Sequence, residues 1–439
     1  MESLAELAGR PDRCAPSIHI AGSKGKGSVT GMIVSMLEAD GRRVARYMSP
    51  HISDFRERIS LGNSFFDEAV YRAAGDELRE LVEQRLPPAK HSLFDPACED
   101  GEAPSFFELL TLYFFLCARC AGCDALVVET GMGGRLDSTN IVDPLVSVIT
   151  LIELEHTAFL GKTITAVAGE KAGIIKSGRP LILAKQRGEA LEVFRKKAEE
   201  QRSPFLYFPE LVELRDIKIH AAGTNFTMSL KPAADTRYAQ LQQAPLFPPL
   251  LNLAVPVPGL IQAENAGLAI LAMKAAFPQT GDGAIRRGLE HFRLPARFEL
   301  LLQDPPLIID GAHTPESAAG CAETFCSLYG EGGILLFGCA ADKNAAAMAE
   351  MLLPRFSRII ITTPGTFKTS DPGKVYEAFN ACLARRVQGC AATGRVTLVR
   401  DTKEALKQAL NLARGEKLPV LCMGSFYLAA EIRNADFLK

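Results

Sequence analysis

The sequence predicts an α/β protein of two units, a larger parallel-sheet domain built around a phosphate-binding glycine loop and a smaller Rossmann-like α/β domain after it. Three observations lead there. Short apolar runs alternate with helical patterns over residues 17–151 and again over 307–423. A glycine-rich turn, Gly22–Ser28, stands between a strand and a helix. Between the two alternating blocks, over about 211–257, the texture changes to a period of two.

In chain order, Ser17–Ala21 reads as a strand, Ser28–Ala39 as a helix and Arg43–Met48 as a second strand. Helical periodicity returns at Asp67–Gln84 and Phe106–Cys120, followed by apolar runs at Ala125–Glu129 and Val146–Leu151. Short buried runs joined by helices suit a parallel sheet with crossover helices. Ile217–His220 and Phe226–Leu230 alternate instead around Ala222-Gly223-Thr224-Asn225, which predicts an antiparallel pair. Helices follow at Gln262–Ala276 and Gly283–Phe292. Strands at Leu307–Asp310, Gly333–Phe337, Arg358–Thr362, Arg395–Val399 and Pro419–Met423, separated by helices, make the second unit. The boundary is placed in the Pro295-Ala296 linker, giving domains 1–295 and 296–439.

At 439 residues the chain is long for one domain and comfortable for two. A net charge of −2 and a pI near 6.4 make no broad electrostatic case for nucleic acid or an anionic membrane. Met1–Arg10 has no signal-peptide apolar core, and the greasiest stretch, Phe106–Ala118, is interrupted by Glu108 and too short to span a bilayer. A cytoplasmic, monomeric enzyme is expected. Eleven scattered cysteines fit a reducing compartment. Cys117, Cys120 and Cys123 stand three residues apart, but no Cys-Pro follows and the segment reads as an apolar helix. Core packing is expected there rather than an iron–sulfur centre.

The strand Ile18-His19-Ile20-Ala21 runs straight into Gly22-Ser23-Lys24-Gly25-Lys26-Gly27-Ser28 and then into a helix. That order builds an anion cradle: backbone N–H groups converge on phosphate, Lys26 reaches the outer phosphates, and Ser28 can ligate Mg²⁺. The spacing departs from the standard phosphate loop because Gly27 separates the lysine from Ser28. A second glycine run, Gly131-Met132-Gly133-Gly134, follows the strand that ends in Glu129. A carboxylate at the C-terminal tip of a parallel strand is where a metal or substrate ligand sits.

As an ordered set, these segments resemble the folylpolyglutamate synthase and dihydrofolate synthase family, relatives of the Mur ligases. The resemblance is carried by Gly22–Ser28, Ser49-Pro50-His51 followed by Phe55–Ile59, Glu129–Asp137, His156 with Leu160-Gly161, and Glu170–Ile174. Further on it runs through Gln262 with Asn265-Ala266, Arg297-Phe298, Asp310–His313 and Gly424-Ser425. Each piece alone has a bland reading as a turn, a linker or a surface pair; their order along one chain is what gives them weight.

The resemblance implies a phosphate-loop ATPase domain and an ATP- and Mg²⁺-dependent ligase that joins L-glutamate to a folate or dihydropteroate carboxylate through an acyl phosphate. It implies that Gly25, Lys26, Gly27 and Ser28 bind the ATP phosphates, with Asn265 and Arg297 on the nucleotide. Ser28, Ser49 and Glu129 would hold one Mg²⁺ and His156 a second, supported by a carbamylated Lys171. Asp310 and His313 would close on the nucleotide and the reacting groups from the second domain, and Phe106, Phe107, Glu108, Arg135 and Asp137 would lie on the folate side.

Three residues depart from the family pattern: Lys24 for Asn, Glu155 for Asp and Thr314 for Asn. None removes an expected metal ligand, so an active enzyme is expected. Relatives usually carry a further helical segment with pterin contacts before the first strand, whereas 18 residues precede His19; either the protein begins upstream or it recognises its pterin differently. Two rival readings remain, a Mur-type peptidoglycan amino-acid ligase and a non-catalytic nucleotide-binding relative. Against the first stands the Gly27 form of the loop, which is that of the folate branch.

Overall fold

The computed structural model describes residues 1–52, 54–85, 104–231, 250–365, 369–386 and 394–435. Strands β1 (Ser17–Ala21), β2 (Val44–Tyr47), β3 (Ile59–Leu61), β4 (Ala125–Glu129), β5 (Val146–Ile149), β6 (Leu181–Leu183) and β7 (Phe205–Tyr207) form one sheet in the order β3-β2-β4-β1-β5-β6-β7. β3 runs antiparallel to β2, and every other neighbour is parallel. β1, β2, β4, β5 and β6 are buried along their whole length, as strands covered by helices on both faces must be.

Strands β8 (Val212–His220), β9 (Gly223–Leu230) and β10 (Leu250–Val255) make a small antiparallel sheet, order β10-β9-β8. The second parallel sheet holds β11 (Glu299–Gln303), β12 (Pro306–Ile309), β13 (Gly333–Phe337), β14 (Phe356–Ile361), β15 (Val396–Leu398) and β16 (Val420–Met423), order β11-β12-β16-β13-β14-β15. Here only β11 is antiparallel to its neighbour.

The α/β class and the alternation expected from the sequence are present. The expected turn at 222–225 is displaced: Gly223 already belongs to β9, and the β8–β9 pairing runs from Val212↔Leu230 to His220↔Gly223. The expected start of the first long helix at Ser28 moves back to Lys26, because Gly25 caps it with φ 89°, a left-handed conformation that glycine adopts without strain. β6 and β7, three residues each, escaped the sequence reading because they are too short to show a period.

Helix Lys26–Ala39 is buried on all sides from Gly27 to Leu37, so it carries no polar stripe. It packs on helices Leu260–Ala276 and Asp282–His291. The close approach to the second of these depends on Gly288, where a Cβ would run into the backbone of Ser35 and Met36.

The sheet orders set up the site. β4, β1 and β5 are neighbours, so Glu129, the Gly22–Ser28 loop and residues 150–156 leave the first sheet side by side. β12, β16 and β13 are neighbours in the second, so residues 310–313, 424–426 and 338–343 leave it together. A methyl group between helices Lys26–Ala39 and Asp282–His291 should be felt at the loop: Gly288→Ala is expected to destabilise the protein by roughly 1–3 kcal/mol. Urea unfolding measures this, and an unchanged midpoint would show that the helices do not meet at Gly288.

Candidate active site

The phosphate loop is held from both sides. Ser23 and Lys24 donate their backbone N–H groups to the Leu151 carbonyl at 2.9 and 3.1 Å, and the Ser23 hydroxyl donates to the Glu153 carbonyl at 3.0 Å. Asn265, with Oδ1 2.6 Å from where a Gly25 Cβ would stand, packs beneath the turn, so only glycine fits there. The Lys26 Nζ donates to the Gly22 carbonyl at 2.9 Å. Lys171, from the last turn of helix Ile164–Lys171, donates to the same oxygen at 2.8 Å and to Glu155 Oε1 at 2.9 Å. Burial brings the Lys171 ammonium down to about 8, and Lys26 works in the same direction, against the pull of Glu155. Burial would raise Glu155, but Lys26 and Lys171 outweigh it and hold that carboxyl well below its ordinary range.

Glu129 ends β4 with 2% of its surface exposed, and its Oε2 has no hydrogen-bond partner among the described residues. That oxygen lies 3.7 Å from where a Cβ on Gly27 would be, so it faces the first turn of the loop helix, where the Ser28 side chain is also buried. Burial pushes the carboxyl up to about 7, against Lys26, Arg297 and Arg46. A buried carboxylate oxygen with no partner, beside a serine hydroxyl, suits a hard cation. Ser49 is half-buried at the end of β2, ahead of the cis Ser49–Pro50 bond. His156 is exposed, with φ 48°, at the start of helix Thr157–Leu160. Among the described residues no group of three or more His, Cys, Asp or Glu forms a ready metal cage.

The second sheet supplies the opposite wall. Asp310, one residue past β12, accepts the backbone N–H of Phe298 at 2.8 Å and of Ala312 at 2.7 Å, so one oxygen holds the backbone beside Arg297 and the other its own turn toward His313. Arg297 lies with its guanidinium 4.2 Å from the centre of the Phe426 ring and within the field of Asp310 and Glu129. His313 meets the edge of the same ring at 5.6 Å between centroids. Its Nδ1 sits 2.7 Å from the Gly311 carbonyl and so carries the proton, which leaves Nε2 as an acceptor. Burial, reinforced by Lys24, brings His313 down to about 3, so the ring is neutral. Thr314 Oγ1 donates to Glu153 Oε2 at 3.4 Å, joining the two walls.

Three residues expected on the folate side have partners within the protein. Glu108 is the third residue of a capping box on helix Phe106–Cys120 and pairs with the Met1 amine at 3.1 Å. Asp137 accepts from Met132 N, Thr139 N and the Thr139 hydroxyl, and so closes its own loop. Arg135 pairs with Glu170 at 3.0 Å on the surface. Phe107 packs against Gly131 and Tyr47, whereas Phe106 is 59% exposed and faces Phe55, 6.2 Å away. Cys117 and Cys123 are buried and Cys120 is exposed, three free thiols on and after one helix.

Sequence reading missed Phe426, Glu153 and Lys343 as parts of the site. Each follows a parallel strand's C-terminal end, a positional signal that could have found them. The charge of Lys343 acts on His156, His313 and Lys24.

Residues 296–426 match the family model described as Mur ligase, glutamate ligase domain. The chain is 32% identical to the folylpolyglutamate synthase of Lacticaseibacillus casei, covering 98% of this chain and 92% of that protein. It is 30% identical to the dihydrofolate synthase/folylpolyglutamate synthase of Bacillus subtilis, covering 99% and 93%. It is also 30% identical to a probable bifunctional folylpolyglutamate synthase/dihydropteroate synthase of Haloferax volcanii, of which it spans about half, 48%. Mycobacterium tuberculosis folylpolyglutamate synthase complexed with ADP and AMPPCP superposes with a TM-score of 0.84 at 28% identity, over 98% of this chain and 93% of that one. An FPGS–AMPPCP–folate complex gives 0.78 at 29%, over 98% and 93%.

The elevated Glu129 carboxyl has a consequence for stability. A carboxyl whose folded pKa, about 7, lies above its ordinary value of 4.5 loses stability for the protein as pH rises through that window. Urea unfolding without nucleotide or metal should therefore show Glu129→Gln gaining on the unmutated protein between about pH 5 and 8. A difference that does not change with pH would remove the assignment.

Proposed function

Because the chain belongs to the folylpolyglutamate synthase and dihydrofolate synthase family, we propose that it is an ATP-dependent ligase that joins L-glutamate to a folate-type carboxylate. The observation that carries the reading is the convergence of Lys26 and Lys171 on the Gly22 carbonyl, on the loop whose Gly27 faces a Glu129 oxygen with no partner among the described residues. A carboxylate is a poor acylating agent. Its oxygen attacks the γ-phosphorus as the bond to ADP breaks, giving an acyl phosphate. The glutamate amine then adds to the acyl carbon, the C–O bond breaks, phosphate departs, and the nitrogen loses its proton.

Each residue has a place in that sequence. Gly25, Gly27 and Ser28 present the helix start to the phosphates, and Lys26 neutralises them. Asn265 holds Gly25, and Arg297 and Asp310 form the nucleotide-facing corner of the second wall. Mg²⁺, when bound, offsets the charge that phosphates and carboxylate bring together; Ser28, Ser49 and Glu129 would hold one ion, and His156 a second. The neutral His313, with Nε2 as its unprotonated nitrogen, orients the incoming amine as a hydrogen-bond acceptor. Lys343 offers its charge to the amino acid's carboxylate, and Phe106 with Phe55 offers aromatic faces to the folate ring system. Domains 1–295 and 296–439, joined at Pro295-Ala296, would shield the acyl phosphate from water.

Lys171 suits carbamylation. Its amine is buried and depressed to about 8, so the neutral form that adds CO₂ is accessible near neutral pH. The carbamate would place an anion beside Glu155 where an ion pair now stands, which a cation at His156 would balance. Lys171→Ala should lower ligation at least a hundredfold and be partly restored by millimolar short carboxylates; turnover at the unmutated level would exclude the role.

The deciding assay is a panel of dihydropteroate and tetrahydrofolate with ATP and glutamate. Phosphate release that needs both a folate-type acid and glutamate is expected, with the glutamylated product seen by mass. Release with neither present would make the protein a generic ATPase instead.

A further inference from the structure

We infer that Lys24 is a further catalytic residue, whose ammonium contacts the outermost phosphate of the bound triphosphate and follows that phosphoryl group as it passes to the substrate carboxylate. The inference rests on the ligase reading above for its second half only. Three lysines surround the loop. Lys26 is turned back onto the Gly22 carbonyl, and Lys171 is shared between that carbonyl and Glu155. Among the described residues, Lys24 alone of the three has neither an ion pair nor a side-chain hydrogen bond.

The backbone fixes where this free cation stands. Lys24 N is bonded to the Leu151 carbonyl at 3.1 Å, in a one-residue bridge that ties the loop to the segment leading to Glu155 and His156. It stands one residue before the Gly25 kink, and the charge acting on it most strongly is that of Glu153, which meets Thr314 of the second wall at 3.4 Å. Its charge acts on Glu153 and Glu155 on one side and on Asp310 and His313 on the other. Lys24 is also substantially buried, and burial works against its charged form. A cation stripped of much of its water, with carboxylates near but none in contact, is matched by an anionic group placed between the two walls. The terminal phosphate of a nucleotide on this loop is such a group.

In the transfer step one P–O bond forms to the carboxylate as another breaks to ADP, and no proton moves. The γ-phosphoryl group passes between two anions, the incoming carboxylate and the leaving β-phosphate, and a fixed ammonium beside it offsets their mutual repulsion without reorganising.

Nucleotide binding, measured by calorimetry with Mg²⁺, tests this apart from turnover. Lys24→Asn should weaken AMPPCP about tenfold or more and ADP less than twofold, with its melting temperature unchanged. Lys24→Arg should retain most of the AMPPCP affinity. In the ligation assay Lys24→Asn should lower kcat at least tenfold while leaving the KM for glutamate in place. Equal weakening of AMPPCP and ADP would make Lys24 a residue that shapes the loop, and no weakening of either would give it no role; both results overturn the inference. If the unmutated protein forms no glutamylated product, the ligase reading fails, while the AMPPCP-to-ADP comparison still decides whether Lys24 meets the third phosphate.

Discussion

Two ammonium groups donate to one backbone oxygen, the Gly22 carbonyl, and the site is organised around the repulsion this creates. Like charges that close repel strongly where water is scarce. The nearest relief is Glu155, which the two lysines hold well below its ordinary pKa. Positive charge is thus concentrated at the loop by the fold itself, with a third lysine, Lys24, beside it. A site built this way selects for a highly charged anion before any particular substrate contact is considered.

That concentration is possible because most of the participants follow the C-terminal ends of parallel strands, with Lys171 brought in at the end of a helix. β4, β1 and β5 deliver Glu129, the loop and the Glu153–His156 segment from one sheet. β12, β13 and β16 deliver Asp310, Lys343 and Phe426 from the other. Arg297 links the two walls through charge and ring contact, in the field of Glu129 from the first sheet while lying on Phe426 of the second. Its backbone takes left-handed φ on both flanks, 55° at Ala296 and 44° at Phe298. Such conformations are unfavourable for residues with a Cβ. They are retained because Asp310 and Glu299 accept the N–H groups of Phe298 and Ala296.

Much of this was legible in the residues. The strand–glycine–lysine–serine order specified the loop, and helix Phe106–Cys120 and strands β4 and β13 fall where the apolar periodicity places them. Side-chain partners at the ends of elements were less legible. Glu108 and Asp137, expected on the folate side, also serve the local backbone: the third residue of a helix and the residue just before a 3-10 turn meet nearby backbone N–H groups first. The cysteine spacing was read for packing, and two of its three thiols are buried while Cys120 reaches the surface. Periodicity assigns an element without saying which side chain at its end turns outward.

The chain's own order of residues determined the α/β class, the anion-binding turn and the family, because those depend on local pattern and on motifs that are contiguous along the backbone. Only the folded molecule decided that Lys26 and Lys171, 145 positions apart by number, share one oxygen, and that Lys24 has no partner among the described residues. Strand order in a sheet brings distant segments side by side, and burial then sets which of their charges remain compensated. Neither quantity is written in any local stretch of sequence.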